Sequence, residues 1–207
     1  MIRLTQIRAL AALLPALVLA SCAGTSAPTQ FYTLATTVDA ASAPKAPVGK
    51  KLSIGVGPVT LADYLDRPQI IVRDSAYKVT LSTFDNWAGP LDTGLPTVLV
   101  GNLAALLPQD DVVMVPQPFV TPLDYQIRIN FSRFDIDGAG NAVTEAQWQV
   151  YDTKKGAIIA TQNSVLREAA GTGAGTEAGV AALSRTLGAL SREMAKAIST
   201  AAGRPAS

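Results

Sequence analysis

The stretch DYQIRINFSRFDIDGAGN, residues 124–141, alternates over eight positions. Tyr125, Ile127, Ile129 and Phe131 fall on one side; Gln126, Arg128, Asn130 and Ser132 fall on the other. Successive side chains point to opposite faces only in an extended strand, so this stretch commits the chain to a sheet with one buried face. The phase slips between Phe131 and Phe134, which predicts a bulge near Ser132 and Arg133. DGAGN then turns the chain. AVTEAQWQVY and AIIATQNSVLRE, joined by DTKKG, continue it as a meander.

Earlier, LSIGVGPVTL sets Leu52, Ile54 and Val56 against Ser53, Gly55 and Gly57. Pro58 has no backbone donor and predicts the strand's end or an edge. QIIVR and YKVTLS read as short strands turning at Asp74-Ser75, and FYTL (31–34) and DVVMVP as two more. A helix is expected over PLDTGLPTVLVGNLAALLP. Its cap is Asp92 or Thr93, Pro96 falls in its first turn, Leu95, Leu99, Leu103, Leu106 and Leu107 follow helical spacing, and Pro108 stops it. A final helix over about 177–199, capped by Thr176, carries the stripe Val180, Leu183, Leu187, Leu190, Met194 and Ile198. This order gives an α+β single domain: a largely antiparallel sheet with two amphipathic helices packed on one face.

The first 21 residues stand apart. Arg3 and Arg8 precede the apolar run Ala9–Leu19, too short for the roughly 20 residues of a spanning helix but suited to a secretory signal. Leu19-Ala20-Ser21-Cys22 resembles the bacterial lipobox. That resemblance implies cleavage before Cys22, a diacylglycerol on its sulfur and an N-acyl chain on its amine. Ala23, where aspartate would resemble an inner-membrane retention cue, implies the periplasmic face of the outer membrane. The expected organisation is 1–21 signal peptide, 22–50 anchor, tether and flexible segment, 51–200 the domain, and 201–207 a tail. AGTSAPTQ (23–30) has tether composition and a reach of about 26 Å. ATTVDAASAPKAPVGK reads as a second mobile loop.

Composition removes several functions. With His 0 and Cys 1, histidine-based triads, histidine metal sites and internal disulfides are excluded; composition leaves a Ser-Lys arrangement open. Net charge is +1 without a basic run, which argues against nucleic acid as a partner. Gly173-x-Gly175-x-x-Ala178 fits a relaxed dinucleotide fingerprint, but only helix and tail follow it, so it reads as a loop. Asp135-Ile136-Asp137-Gly138 begins like a calcium loop whose twelfth position would be Ala146, so it reads as a hairpin turn. Asp110-Asp111 reads as a solvated turn. No P-loop occurs. The chain reads as a non-enzyme with no metal and no cofactor beyond the lipid on Cys22.

ADYLDRPQIIVRDSAYKVTLSTFDNWAGPL (62–91) concentrates Tyr64, Asp66, Arg67, Arg73 and Trp87 in and around short strands, with Trp87 in a loop beside Pro90. Tryptophan and arginines outside regular elements suit a binding surface. The alternative is structural: Trp87 plugs the sheet end and Asp66 pairs with Arg67 or Arg73. These residues, with Phe31-Tyr32-Thr33-Leu34, Phe134-Asp135, Trp148 to Asp152 and Val180 to Ala195, resemble the auxiliary lipoproteins of ABC-type intermembrane transport systems, the PqiC-like family. The resemblance runs in order along nearly the whole mature chain. It implies a lipid-anchored periplasmic accessory subunit that docks an MCE-domain partner at the outer membrane and supports envelope integrity. It implies an α+β fold, leaves self-association open, and makes the five residues partner-binding candidates. A lipid-binding carrier, which would need an apolar cavity between sheet and helices, is the second reading. An envelope hydrolase is the third and weakest, for want of a nucleophile–base pair.

Overall fold

The computed structural model describes residues 27–38, 50–116, 122–171 and 175–203. The expected signal peptide, Cys22, Gly173 and the end of the tail lie outside the described residues. Strands β1 (Gln30–Tyr32), β2 (Ser53–Leu61), β3 (Gln69–Ser75), β4 (Lys78–Trp87), β5 (Asp111–Met114), β6 (Tyr125–Asp137), β7 (Asn141–Asp152) and β8 (Ala157–Ala169) form one 8-stranded sheet. Helices α1 (Leu91–Leu106) and α2 (Thr176–Ala201) cover one of its faces.

Strand β6 is the spine. One edge carries the antiparallel meander β6–β7–β8. Its other edge is shared: β2 runs parallel to Tyr125–Phe131, and β3 runs parallel to Ile136 and Asp137. The chain between them, residues 62–68, leaves the sheet through a short 3-10 turn, Asp63–Leu65. Most paired residues sit in antiparallel ladders, yet β1–β4, β2–β5, β2–β6 and β3–β6 are parallel. Alternation shows that a strand has a buried face but not which way its neighbour runs.

The bulge in β6 falls between Phe131 and Arg133, where the phase slip placed it. It turns Phe134 and Ile136 to the helical side, buried with Phe131. Pro58 does not end its strand. Gly57 has φ +128, and the register to β6 slips between Val56 and Val59, so Gly57-Pro58 is a bulge inside β2 where no ladder donor is required. The β3–β4 hairpin turns at Ala76-Tyr77 rather than at Asp74-Ser75.

Both helices begin earlier than their expected caps. The Pro90 carbonyl accepts the amides of Thr93 and Gly94, which opens α1 at Leu91 and moves Pro96 out of the first turn. In α2, Gly175 is the cap and Thr176 is already helical, its hydroxyl donated to Asp85 Oδ2 at 2.8 Å. The six stripe residues of α2 are all buried against the sheet and α1. At about 2 kcal/mol each, they contribute roughly 12 kcal/mol before chain entropy is counted. No helix among the described residues is long and apolar enough to cross a membrane. Asp110 is buried rather than solvated: it accepts the Leu52 amide at 2.9 Å.

The expected mobile loop starts as a strap. Residues 33–38 cross from the sheet end into the groove between α1 and α2. The Ala35 amide donates to Ser184 Oγ at 3.2 Å, and the Thr37 amide donates to the buried Asn102 Oδ1 at 3.1 Å. Gly101 and Gly188 make room: a Cβ at either would collide with Thr36 or Thr37. Val38 then enters the core.

Candidate functional site

Where β6 changes partner from β2 to β3, residues 62–68 fold over the outer face of the sheet. The Ala62 amide donates to the Phe131 carbonyl, and Leu65 is fully buried as the loop's anchor. The Tyr64 hydroxyl donates to the Ser132 carbonyl at 3.1 Å, capping the bulge. The bulge also decides the fate of Asp135. With Phe134 turned inward, Asp135 lies on the outer face, beneath this loop.

The Asp135 side chain has no exposure. Arg73 Nε donates to one carboxylate oxygen and Arg133 Nε to the other, each at 2.8 Å. Arg73 also donates to the Tyr64 hydroxyl at 3.1 Å and stacks over its ring at 5.6 Å; Arg133 reaches Glu145 at 3.5 Å. Burial disfavours the Arg73 charge, but the hydrogen bond and charge of Asp135 outweigh it and hold its pKa above the ordinary value. Burial, and then the Asp135 carboxylate, push the Tyr64 phenol up, so it stays a donor. This is a structural lock built from charge-assisted bonds.

The remaining candidates lie at the sheet end. Trp87 is the last residue of β4, not a loop residue. Its amide donates to the Pro68 carbonyl at 2.7 Å, and its ring packs 6.2 Å from Phe134. Its indole, 7% exposed, floors a cleft of about 270 Å³ walled by Asp66, Arg67, Pro68, Gly89, Pro90 and Leu91. A second, mostly apolar cleft of about 320 Å³ lies beyond Gly89-Pro90, against Tyr32, Leu34 and Val98. Asp66 is exposed and pairs with neither arginine: Arg67 Nε donates to the Tyr64 carbonyl at 2.6 Å, and Arg73 is taken by Asp135.

The five candidates therefore separate. Tyr64 and Arg73 belong to the lock, Trp87 to the cleft floor, and Asp66 and Arg67 to its accessible rim. The lock's centre, Asp135, with Arg133 and Glu145, was missed as a site. Its signal was present: an acid between Phe134 and Ile136, inside a strand, with an arginine two residues before it on the same face. The calcium-loop motif drew attention to the right residue for the wrong chemistry. The turn it foresaw is made by Asp137, whose carboxylate accepts the Ala139 and Asn141 amides.

Comparison with known proteins places the chain in a family. Residues 32–195 match the model of the family described as ABC-type transport auxiliary lipoprotein component. The chain is 29% identical over 133 residues to the intermembrane transport lipoprotein PqiC of Escherichia coli (strain K12), covering 64% of this chain and 68% of that one. In fold it is similar to a crystal structure of an uncharacterised protein, with TM-score 0.68 and 21% identity over 83% of this chain and 99% of that one. A Xanthomonas campestris protein gives TM-score 0.66 and 20% identity, covering 80% and 92%. The match over most of the chain leads to one assignment: the chain belongs to the ABC-type transport auxiliary lipoprotein components.

Proposed function

We propose that this protein is a lipid-anchored periplasmic subunit of an MCE/ABC-type intermembrane lipid transport system. It docks the assembly at the outer membrane, supports envelope integrity and catalyses no reaction itself. The family match over residues 32–195 carries this reading. Cys22 supplies the anchor, because several acyl chains hold a protein on a membrane stably where one does not. The docking face is the rim of the Trp87 cleft, where Asp66 and Arg67 offer both charges beside Pro68, Pro90 and Leu91. A small apolar floor ringed by polar groups is how protein interfaces concentrate binding energy.

Cross-linking in membranes followed by purification is expected to recover an MCE-domain protein. Arg67→Ala is expected to keep the fold and weaken that recovery by about 2 kcal/mol, roughly thirtyfold in affinity. Repeated recovery of no such partner would sink the reading. Cys22→Ser is expected to lose lipid labelling and to leave the membrane fraction entirely; unchanged fractionation would refute the anchor.

The carrier reading has one observation in its favour. A groove of about 530 Å³ between β8 and the end of α2 is lined by Ile159, Ala160, Ala197 and Ala201, with Lys155 and Lys196 at its border. Lipid co-purifying with the protein, identified by mass spectrometry, would select it.

A further inference from the structure

We infer that the tip of the β3–β4 hairpin is a membrane-contact element that inserts into the leaflet holding the lipid anchor. The inference rests on the lipidated Cys22 of the proposed function. Its first observation is the surface itself. Tyr77 is fully exposed, and Val79, Leu81 and Phe84 are 37%, 37% and 39% exposed along β4. Phe31, on the neighbouring β1, is 65% exposed. The charges nearest the turn, Asp74 and Lys78, neutralise each other at 2.9 Å. A ribbon with aliphatic sides and a tyrosine at its turn has the chemistry of the headgroup–acyl boundary, where an aromatic ring is apolar at one end and wet at the other.

The second observation is direction. β1 runs parallel to β4, with Gln30 opposite Asp85 and Tyr32 opposite Trp87. The chain ahead of Gln30 therefore leaves toward the hairpin tip. Residues 22–29 reach about 26 Å when extended. From Asp85 to Tyr77 is at most about 26 Å, and shorter by the bulge of β4 between Leu81 and Asn86. The anchor and the tip can lie at the same level.

A second copy of the chain fits the patch less well. Five side chains, three of them under 40% exposed, make a small apolar patch beside the roughly 20–30 residues a side, about 800 Å² per partner, of a stable interface. The membrane occupant also accounts for the other end of the ribbon. The Trp87 cleft stands about 23 Å from Tyr77, allowing for the bulge of β4 between Leu81 and Asn86, so a domain seated on its tip holds the cleft away from the bilayer.

The test uses the processed full chain in vesicles of phosphatidylethanolamine and phosphatidylglycerol. Cys22 is the only cysteine, and acylation blocks its sulfur, so Tyr77→Cys provides a single site for an environment-sensitive fluorophore. Gln147→Cys, exposed at mid-sheet, is the control. The label at 77 is expected to shift to the blue and, by quenching with nitroxide lipids, to lie about 5–10 Å inside the headgroup boundary, while that at 147 stays in water. A water-like label at 77 on vesicle-bound protein overturns the inference. A label at 77 that is shielded but not quenched by the lipids overturns it in favour of a second copy. Failure of the anchor reads out separately: the unsubstituted chain would then react with maleimide at Cys22 and stay off the vesicles, and the inference would fall with it.

Discussion

Asp135→Ala is expected to destabilise the domain by about 3–5 kcal/mol, the usual cost of removing one partner from a buried ion pair. The carboxylate is fully enclosed, and two arginines, each under one-fifth exposed, depend on it. Without it, two guanidinium groups face each other beneath the 62–68 loop with no anion between them. The Tyr64 hydroxyl loses the arginine that orients it. In a domain of this size the loss corresponds to a fall in melting temperature of about 10 °C, read by circular dichroism. Asp135→Asn keeps the volume and an acceptor, and its loss should be smaller. A melting temperature for Asp135→Ala within about 1 °C of the parent would show that the lock contributes little beyond the surface-pair range.

Gly57→Ala should cost about 3 kcal/mol or more for a different reason. At φ +128 the backbone is in a region that residues with a Cβ seldom occupy. The added methyl would also meet the Val115 carbonyl, a backbone atom that cannot rotate away. Relief requires β2 to separate from β5 or to lose its bulge, which would slip Val59 and Leu61 against β6. Denaturation by urea should show a lower midpoint. Gly89→Ala, where a Cβ has open space, is the control and should leave the midpoint unchanged. Equal midpoints for Gly57→Ala and the parent would remove the argument.

These two positions also show what the sequence could and could not disclose. The bulge at Ser132 was legible because a buried face makes phase visible: two phenylalanines three apart cannot share a side of an unbroken strand. The bulge at Gly57 was not, since glycine has no side chain to show a phase. The missing donor of Pro58 is equally harmless at an edge and at a bulge. The stripe of α2 was legible for the same reason as the strand. Its start was not, because Thr176 is spent on Asp85, ninety-one residues away in sequence. Trp87 and the arginines of 62–91 stood out by type. Only the shared edge of β6 assigns Arg73 to Asp135 and leaves Arg67 at the rim. Pairings of that range are tertiary facts, and local pattern does not carry them.

The strap of residues 33–38 has a mechanical consequence. Tension entering at the N-terminal end of the domain meets β1 along its own axis, so the three-residue pairing with β4 is loaded in shear and must yield together rather than unzip bond by bond. Behind it in series stand the Ser184 and Asn102 latches, seated between two helices whose glycines let the backbone sink below the surface. Force applied ahead of β1 is thus passed into the helical layer instead of being concentrated on one edge strand. Such a domain can be pulled from a fixed point without first losing the edge by which it is held.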